Sequence, residues 1–300
     1  PGNGIDIKSI KGIEGKSYAN ADETRDRLKE LMDKTFRIQL SEGKDVRNLT
    51  VRPIKEQNEN LNNPESPEYN SLILAATGSE LHTLTGHTAT VNSGTFSPDG
   101  KTLAIGSGEP SRSGDITLWD ITTGKLTKNY AERHLDSVFA LDFSPDGKLL
   151  ASGGADKAVR VTDLTSSKVV KVFEGHTHHV LGLSWRADGR LLASSGADNV
   201  VKVWDWTTGD RRKSVDGWDK EVTGIRYLGA ADQIATSAGD AKLRLITSDG
   251  GEVKQLPGST SFLQSLATTQ TGDLILGGDQ DGVLRAWDVT SAKVIAEFKP

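Results

Sequence analysis

The stretch GHTHHVLGLSWRADGRLLASSGADNVVKVWDWTTGD (Gly175–Asp210) decides the fold. The segment RADGRLLA, from Arg186, joins two β-like runs through Asp188-Gly189, the chemistry a tight hairpin turn uses. A further run, VKVWD (Val201–Asp205), alternates β-branched and polar residues as a third strand does. The same phrases return in phase along the chain. ITLWD (Ile116–Asp120), VRVTD (Val159–Asp163), VKVWD, LRLIT (Leu243–Thr247) and LRAWD (Leu284–Asp288) follow one another at intervals of 43, 42, 42 and 41 residues. Upstream of them stand SPDGKTLA from Ser97, SPDGKLLA from Ser144 and the weaker QTGDLIL from Gln270. Such a period means one supersecondary unit per repeat, each burying a face against the next.

Glycine-histidine pairs at Gly86-His87 and Gly175-His176 complete a pattern that resembles the WD40 family, whose unit forms one four-stranded blade of a β-propeller. The resemblance covers 70–300 and implies an all-β ring. Five complete blades are legible, and Asn70–His87 reads as the last two strands of a partial one. It also implies a structural tetrad in the third complete repeat: His176, Ser194, Asp198 and Trp204, hydrogen-bonded in a chain. The other repeats depart from it. The second has His134, Ser152 and Asp156 but Thr162 for the indole; the fourth has Thr236 and Asp240 but Trp218 for histidine and Ile246 for tryptophan. The fifth has Asp281 and Trp287 but Gly277 for the hydroxyl, and the first has His87 and Trp119 but Ile105 there. Both ends look cut, so a ring completed by further chain is expected.

Composition narrows the chemistry. Glycine is abundant (32), methionine occurs once, as Met32, and cysteine is absent, which removes disulfides, thiolate metal sites and covalent haem attachment. The net charge of −5 with scattered basic residues gives no case for nucleic acid, and no apolar run reaches the length of a membrane span. No Walker, HExxH or GxSxG pattern occurs. No cofactor, metal or small-molecule substrate is expected, and the partners expected are other proteins or peptides.

Residues 1–54 follow another grammar. A β-like run (Ile5–Ile10), a helix-like segment (Asp22–Asp33, with Leu28, Leu31 and Met32 on one face) and the runs Thr35–Leu40 and Arg47–Ile54 succeed one another. With Pro1-Gly2-Asn3 and Gly12, this order resembles the second half of a bacterial protease-type PDZ domain, a small α+β fold. Its carboxylate-binding loop would lie upstream of Pro1. Residues 55–69 are polar and proline-bearing, as in a flexible linker.

Several residues are candidates for an interaction surface. His178 and His179 follow the tetrad histidine on a rim loop, and the insertion Gly106–Asp115 carries Glu109 and Arg112 on a lengthened hairpin. Trp218 stands where histidine is usual, with packing and binding equal readings. The insertion and its surroundings also resemble WD-repeat proteins of planctomycete-type bacteria, in which propellers are often fused to c-type cytochromes. The expected function is therefore a non-catalytic interaction scaffold. The alternative is the accessory part of a larger bacterial enzyme or redox protein, and the resemblance favours the periplasm or cell envelope.

Overall fold

A computed structural model describes residues 38–40, 72–76, 79–84, 87, 89–229, 231–269 and 271–299. Among them there is no helix long and apolar enough to cross a membrane. The architecture is repeated antiparallel sheets. A three-stranded sheet consists of Ile38–Leu40 (β1), Leu72–Ala76 (β2) and Ser79–Leu84 (β3). Blade 1 follows, with Thr90–Phe96 (β4), Thr102–Glu109 (β5), Ser113–Asp120 (β6) and Lys125–His134 (β7). Blade 2 contains Val138–Phe143 (β8), Leu149–Gly154 (β9), Val159–Asp163 (β10) and Lys168–Phe173 (β11). Blade 3 contains Val180–Trp185 (β12), Leu191–Gly196 (β13), Val201–Asp205 (β14) and Arg211–Val215 (β15). Blade 4 has Val222–Tyr227 (β16), Ile234–Ala238 (β17), Leu243–Ile246 (β18) and Glu252–Leu256 (β19). Blade 5 has Leu263–Thr268 (β20), Leu274–Asp279 (β21), Leu284–Asp288 (β22) and Lys293–Phe298 (β23).

Each blade is a meander in chain order, so every connection within it is a hairpin. The Asp-Gly turns take a form set by glycine. Gly100, Gly147 and Gly189 have φ of 71°, 71° and 69°, and each donates its N–H at 2.8 Å to the carbonyl three residues back, on Ser97, Ser144 and Arg186. The aspartates before them are not left-handed, so these are five-residue connections with glycine at the left-handed position, not two-residue turns.

The first strands β4, β8, β12, β16 and β20 pack side by side from blade to blade, and the fourth strands form the outer edges. Burial follows this order: β13 is buried throughout, whereas β15 is exposed except at Val215. Apolar clusters lie between adjacent blades. Val161, Phe173, Leu183 and Trp204 close the interface of blades 2 and 3, and Val203, Ile225 and Ile246 that of blades 3 and 4. Leu84 of β3 packs with Leu103 and Trp119 of blade 1, which ties the three-stranded sheet to that blade.

Ile38–Leu40, from the run expected in a separate N-terminal module, pairs antiparallel with β2, Ile38 opposite Leu74 and Leu40 opposite Leu72. This run therefore joins a sheet with the strands of 70–87. The helix-like segment, the remaining strands of residues 1–54 and the linker 55–69 lie outside the described residues.

Candidate functional site

The loops that join the outer strand of one blade to the inner strand of the next carry the histidines. In blade 3, Trp204 Nε1–H donates to Ser194 Oγ at 2.9 Å, and Ser194 Oγ lies 2.8 Å from His176 Nε2. His176 Nδ1 lies 2.9 Å from both carboxylate oxygens of Asp198, which also accepts the N–H of Thr177 at 2.9 Å. Since a carboxylate only accepts, Nδ1 carries the proton and Nε2 takes the hydroxyl hydrogen. The structure thus brings His176, Ser194, Asp198 and Trp204 into one chain, and Ser194 is fully buried.

Blade 2 repeats three of the four members. His134 Nε2 is 2.8 Å from Ser152 Oγ, and Nδ1 is 2.9 Å from Asp156 Oδ1. Thr162 supplies no indole at the fourth position, and Arg160 Nη1 donates to Asp156 Oδ2 at 2.7 Å. Burial alone would raise the pKa of Asp156, but the hydrogen bonds from His134 and the Leu135 N–H, with the charge of Arg160, hold it well below the ordinary range. Burial lowers the pKa of His134 against the opposing pull of Asp156, so the ring is neutral at pH 7.

Where the pattern is broken, a neighbour supplies the missing partner. In blade 1, Trp119 Nε1 donates to Thr117 Oγ1 at 2.9 Å, and Thr117 is the cross-strand partner of Ile105. The hydroxyl has moved across the strand pair. His87 lies tilted against Trp119 with ring centroids 5.5 Å apart, and burial lowers its pKa to about 4. In blade 4, Arg244 Nη2 donates to Asp240 Oδ2 at 2.7 Å while its guanidinium lies 5.7 Å from the Trp218 ring centroid. In blade 5 the buried acid is Asp279, two residues before the expected Asp281, and Arg285 Nη1 donates to it at 2.6 Å. Asp281 is exposed and donates its backbone N–H to Asp279. The signal for these arginines lay in the third-strand phrases, whose second residue is Arg160, Lys202, Arg244 or Arg285 in four repeats.

The surface candidates separate. Trp218 is buried at 6% exposure among Val201, Val203, Val222 and Ile246, so it is no surface anchor: it fills the hole that a loop histidine would otherwise occupy. Glu109 and Arg112 meet each other, Nη1 to Oε2 at 2.8 Å, at the exposed tip of a hairpin that β5 and β6 extend to the pair Glu109–Ser113. The insertion is therefore extended strand, closed by a short turn at Ser111 with φ of 59°.

His178 is exposed and His179 half-buried, their ring centroids 4.3 Å apart, and Phe139 of β8 lies 5.6 Å from His179. Burial, followed by the neighbouring His178, lowers the pKa of His179 while Asp136 opposes the shift. Beside Asp136 stands Leu135, 74% exposed and not singled out by any motif. Its N–H donates to Asp156 Oδ2 at 3.0 Å, so the tetrad acid of blade 2 holds the loop that presents it. Among the described residues no three His, Asp or Glu side chains converge as metal ligands.

A sequence profile of the WD domain, G-beta repeat, matches residues 78–120, 124–163, 167–205 and 250–288. The matched segments cover more than half of the chain. They leave out 206–249, which holds the first three strands of blade 4 and its Ile246-Thr247 in place of Trp-Asp, although the four strands of that blade form as in the others. No curated protein matches the chain. With the repeats in phase, the four-stranded meanders and these matches together, the chain belongs to the WD40 family.

Proposed function

We propose that the chain is a protein-binding scaffold that docks partners on the loops 134–138, joining blades 1 and 2, and 176–180, joining blades 2 and 3. WD40 repeats generally mediate protein–protein interaction, and propellers of this family are typically non-catalytic. The observation that carries the reading is Leu135: a 74% exposed apolar side chain on a loop fixed by a charged, buried acid. Exposed apolar side chains on rigid loops, bordered by aromatic rings, are the usual anchors of an interface. Phe139, His179 and His178 form an aromatic group on the neighbouring strand and loop, and Asp136, next to Leu135 in the chain, acts on the charge of His179.

The Ser–His–Asp sets support binding, not chemistry. Ser194 and Ser152 are fully buried, and each hydroxyl is already engaged by its histidine. A nucleophile needs access to its substrate as well as a base. The tetrads act in this reading as loop anchors.

The test is affinity capture with the full chain as bait, wild type against the double variant Leu135→Glu/His178→Glu, with quantitative mass spectrometry of what is retained. Both side chains are exposed, so melting temperatures should agree. Proteins retained by the wild type and lost by the variant support the proposal. Identical retention by both would place docking elsewhere.

A further inference from the structure

The turns that join first and second strands bring neighbouring blades together at one face, and three seams there are built differently. Between blades 3 and 4 the seam is filled by a polar network. Arg186 Nη2 donates to Asp188 Oδ2 at 2.5 Å and Nη1 to Asp232 Oδ1 at 3.3 Å. The Ser248 hydroxyl donates to Asp232, and Tyr227 Oη lies 3.0 Å from Ser248 Oγ. Between blades 2 and 3 the seam is filled by two indoles. Trp185 and Trp206 meet edge to face at 6.0 Å, and Lys171 Nζ lies 6.0 Å from the Trp206 ring centroid.

Between blades 1 and 2 the positions of those indoles hold the smaller Phe143 and Leu164, and a cleft of about 610 Å³ is open there. Its apolar lining includes Leu118, Phe143 and Leu164, and Asp99 and Asp146 stand among its polar residues. These two are the turn aspartates of adjacent blades, and Gly147 approaches Pro98 between them. Asp99 Oδ1 accepts from Ser97 Oγ at 2.6 Å and from the Lys101 N–H at 3.1 Å; Asp146 Oδ1 accepts from Ser144 Oγ at 2.7 Å and from the Lys148 N–H at 3.1 Å. The serine hydroxyls, then the backbone N–H groups, hold both carboxylates below the usual range, so both are charged at neutral pH. Among the described residues the second oxygen of each takes no hydrogen bond, and Lys148 Nζ stands 3.7 Å from Asp146 Oδ2.

The geometry points to an arginine-binding site in this seam: a partner peptide lays an arginine stem over Phe143 and Leu164 and sets its guanidinium between Asp99 and Asp146. The chain itself shows the precedent, because Arg186 places a guanidinium between carboxylates of adjacent blades at the seam of blades 3 and 4, two seams further along. An arginine fork satisfies two carboxylates where a lysine ammonium acts as a point charge. Lys128 also lines the cleft and makes no ion pair among the described residues, so it opposes the incoming charge. This site is distinct from the Leu135 loop and stands or falls separately.

The test is titration of the ¹⁵N-labelled full chain with the peptide Ac-Gly-Ala-Arg-Ala-Gly-NH₂ and with its citrulline counterpart, followed by backbone-amide NMR. The arginine peptide should give saturable shifts at residues 97–102 and 143–148, and the citrulline peptide none. Asp99→Asn/Asp146→Asn keeps the Oδ1 acceptors and should weaken binding by about tenfold or more. Lys128→Ala should tighten it by about threefold. Leu164→Trp, which copies Trp206 of the filled seam, should abolish it with the melting temperature retained. Equal binding of the citrulline peptide, or unchanged affinity in the double asparagine variant, would overturn the site.

Discussion

At the scale of single residues, a buried hydroxyl is worth what depends on it. Ser194 and Ser195 are neighbours on β13 and both fully buried, yet they differ in partners. Ser194 Oγ links the His176 ring to the Trp204 indole, whereas Ser195 Oγ is buried with no hydrogen-bond partner among the described residues. Ser194→Ala should leave two buried polar groups unpaired and cost about 2–4 kcal/mol. Ser195→Ala should be neutral or slightly stabilising, because it removes an unsatisfied group. Urea unfolding of both variants measures the contrast, and equal losses would mean that the tetrad contributes no more than its packing. The tetrad of blade 3 was legible in sequence because its four residue types recur at family spacing. Leu135 was not legible, because nothing in a leucine between His134 and Asp136 says that its side chain points outward. The substitution of Thr117 for a hydroxyl at Ile105 was equally hidden, since it depends on strand register.

At the scale of the strand, the last residue of the second strand in blades 2 to 5 reports which kind of loop it faces. Gly154 and Gly196 end β9 and β13, and a Cβ on either would lie 2.8 Å or 2.7 Å from the Nδ1 of His134 or His176. Blades without a loop histidine carry Ala238 and Asp279 in that place, and Asp279 uses the vacated space for a carboxylate that Arg285 neutralises. Gly196 does not have a left-handed φ, so its requirement is steric alone. Gly196→Ala should therefore cost about 1–3 kcal/mol through overpacking. Adding Ala238→Gly as a control should cost only about 0.5–1 kcal/mol of strand entropy. A Gly196→Ala variant as stable as the wild type in denaturant would show that the loop yields. Outer strands follow a second rule. β7, β11 and β15 carry Lys125 and Lys128, Lys168 and Lys171, and Arg211, Arg212 and Lys213, and a bulge interrupts the pairing of third and fourth strands in all five blades. Cations and bulges discourage edge-to-edge pairing with another molecule, even where Val170 and Val172 are exposed. The repeat boundaries were legible because turn chemistry and strand pattern agree in each unit. The shift from Asp281 to Asp279 was not, because both carboxylates lie in one short turn and only burial separates them.

Across the whole molecule, His87 and Asp142, two buried groups with shifts of opposite sign, pull acid stability in opposite directions. His87 has its pKa lowered by burial to about 4, so the fold holds it neutral. Above pH 6.5 both folded and unfolded chains leave it neutral, and it contributes no slope. Between pH 6.5 and about 4 the unfolded chain takes a proton that the fold refuses, and stability falls by up to about 3 kcal/mol. Asp142, on the inner strand β8, accepts the Trp185 N–H at 2.7 Å, and burial raises its pKa to about 6 against the pull of Arg226. Its cost is complete above pH 6 and is relieved as pH falls toward 3.8, so it adds stability over nearly the window in which His87 removes it. His134, lowered by burial, adds to the loss. The wild type should thus lose stability gently from pH 7 to 4.5, as a difference between larger contributions. His87→Phe keeps a ring against Trp119, removes a buried Nε2 that has no partner among the described residues, and should flatten the acid limb by about 2–3 kcal/mol. Asp142→Asn removes the compensating gain and should steepen the same limb. Urea unfolding of the three proteins at pH 7, 5.5 and 4.5 reads both slopes, and an unchanged slope in His87→Phe would mean that the folded ring is protonated in place.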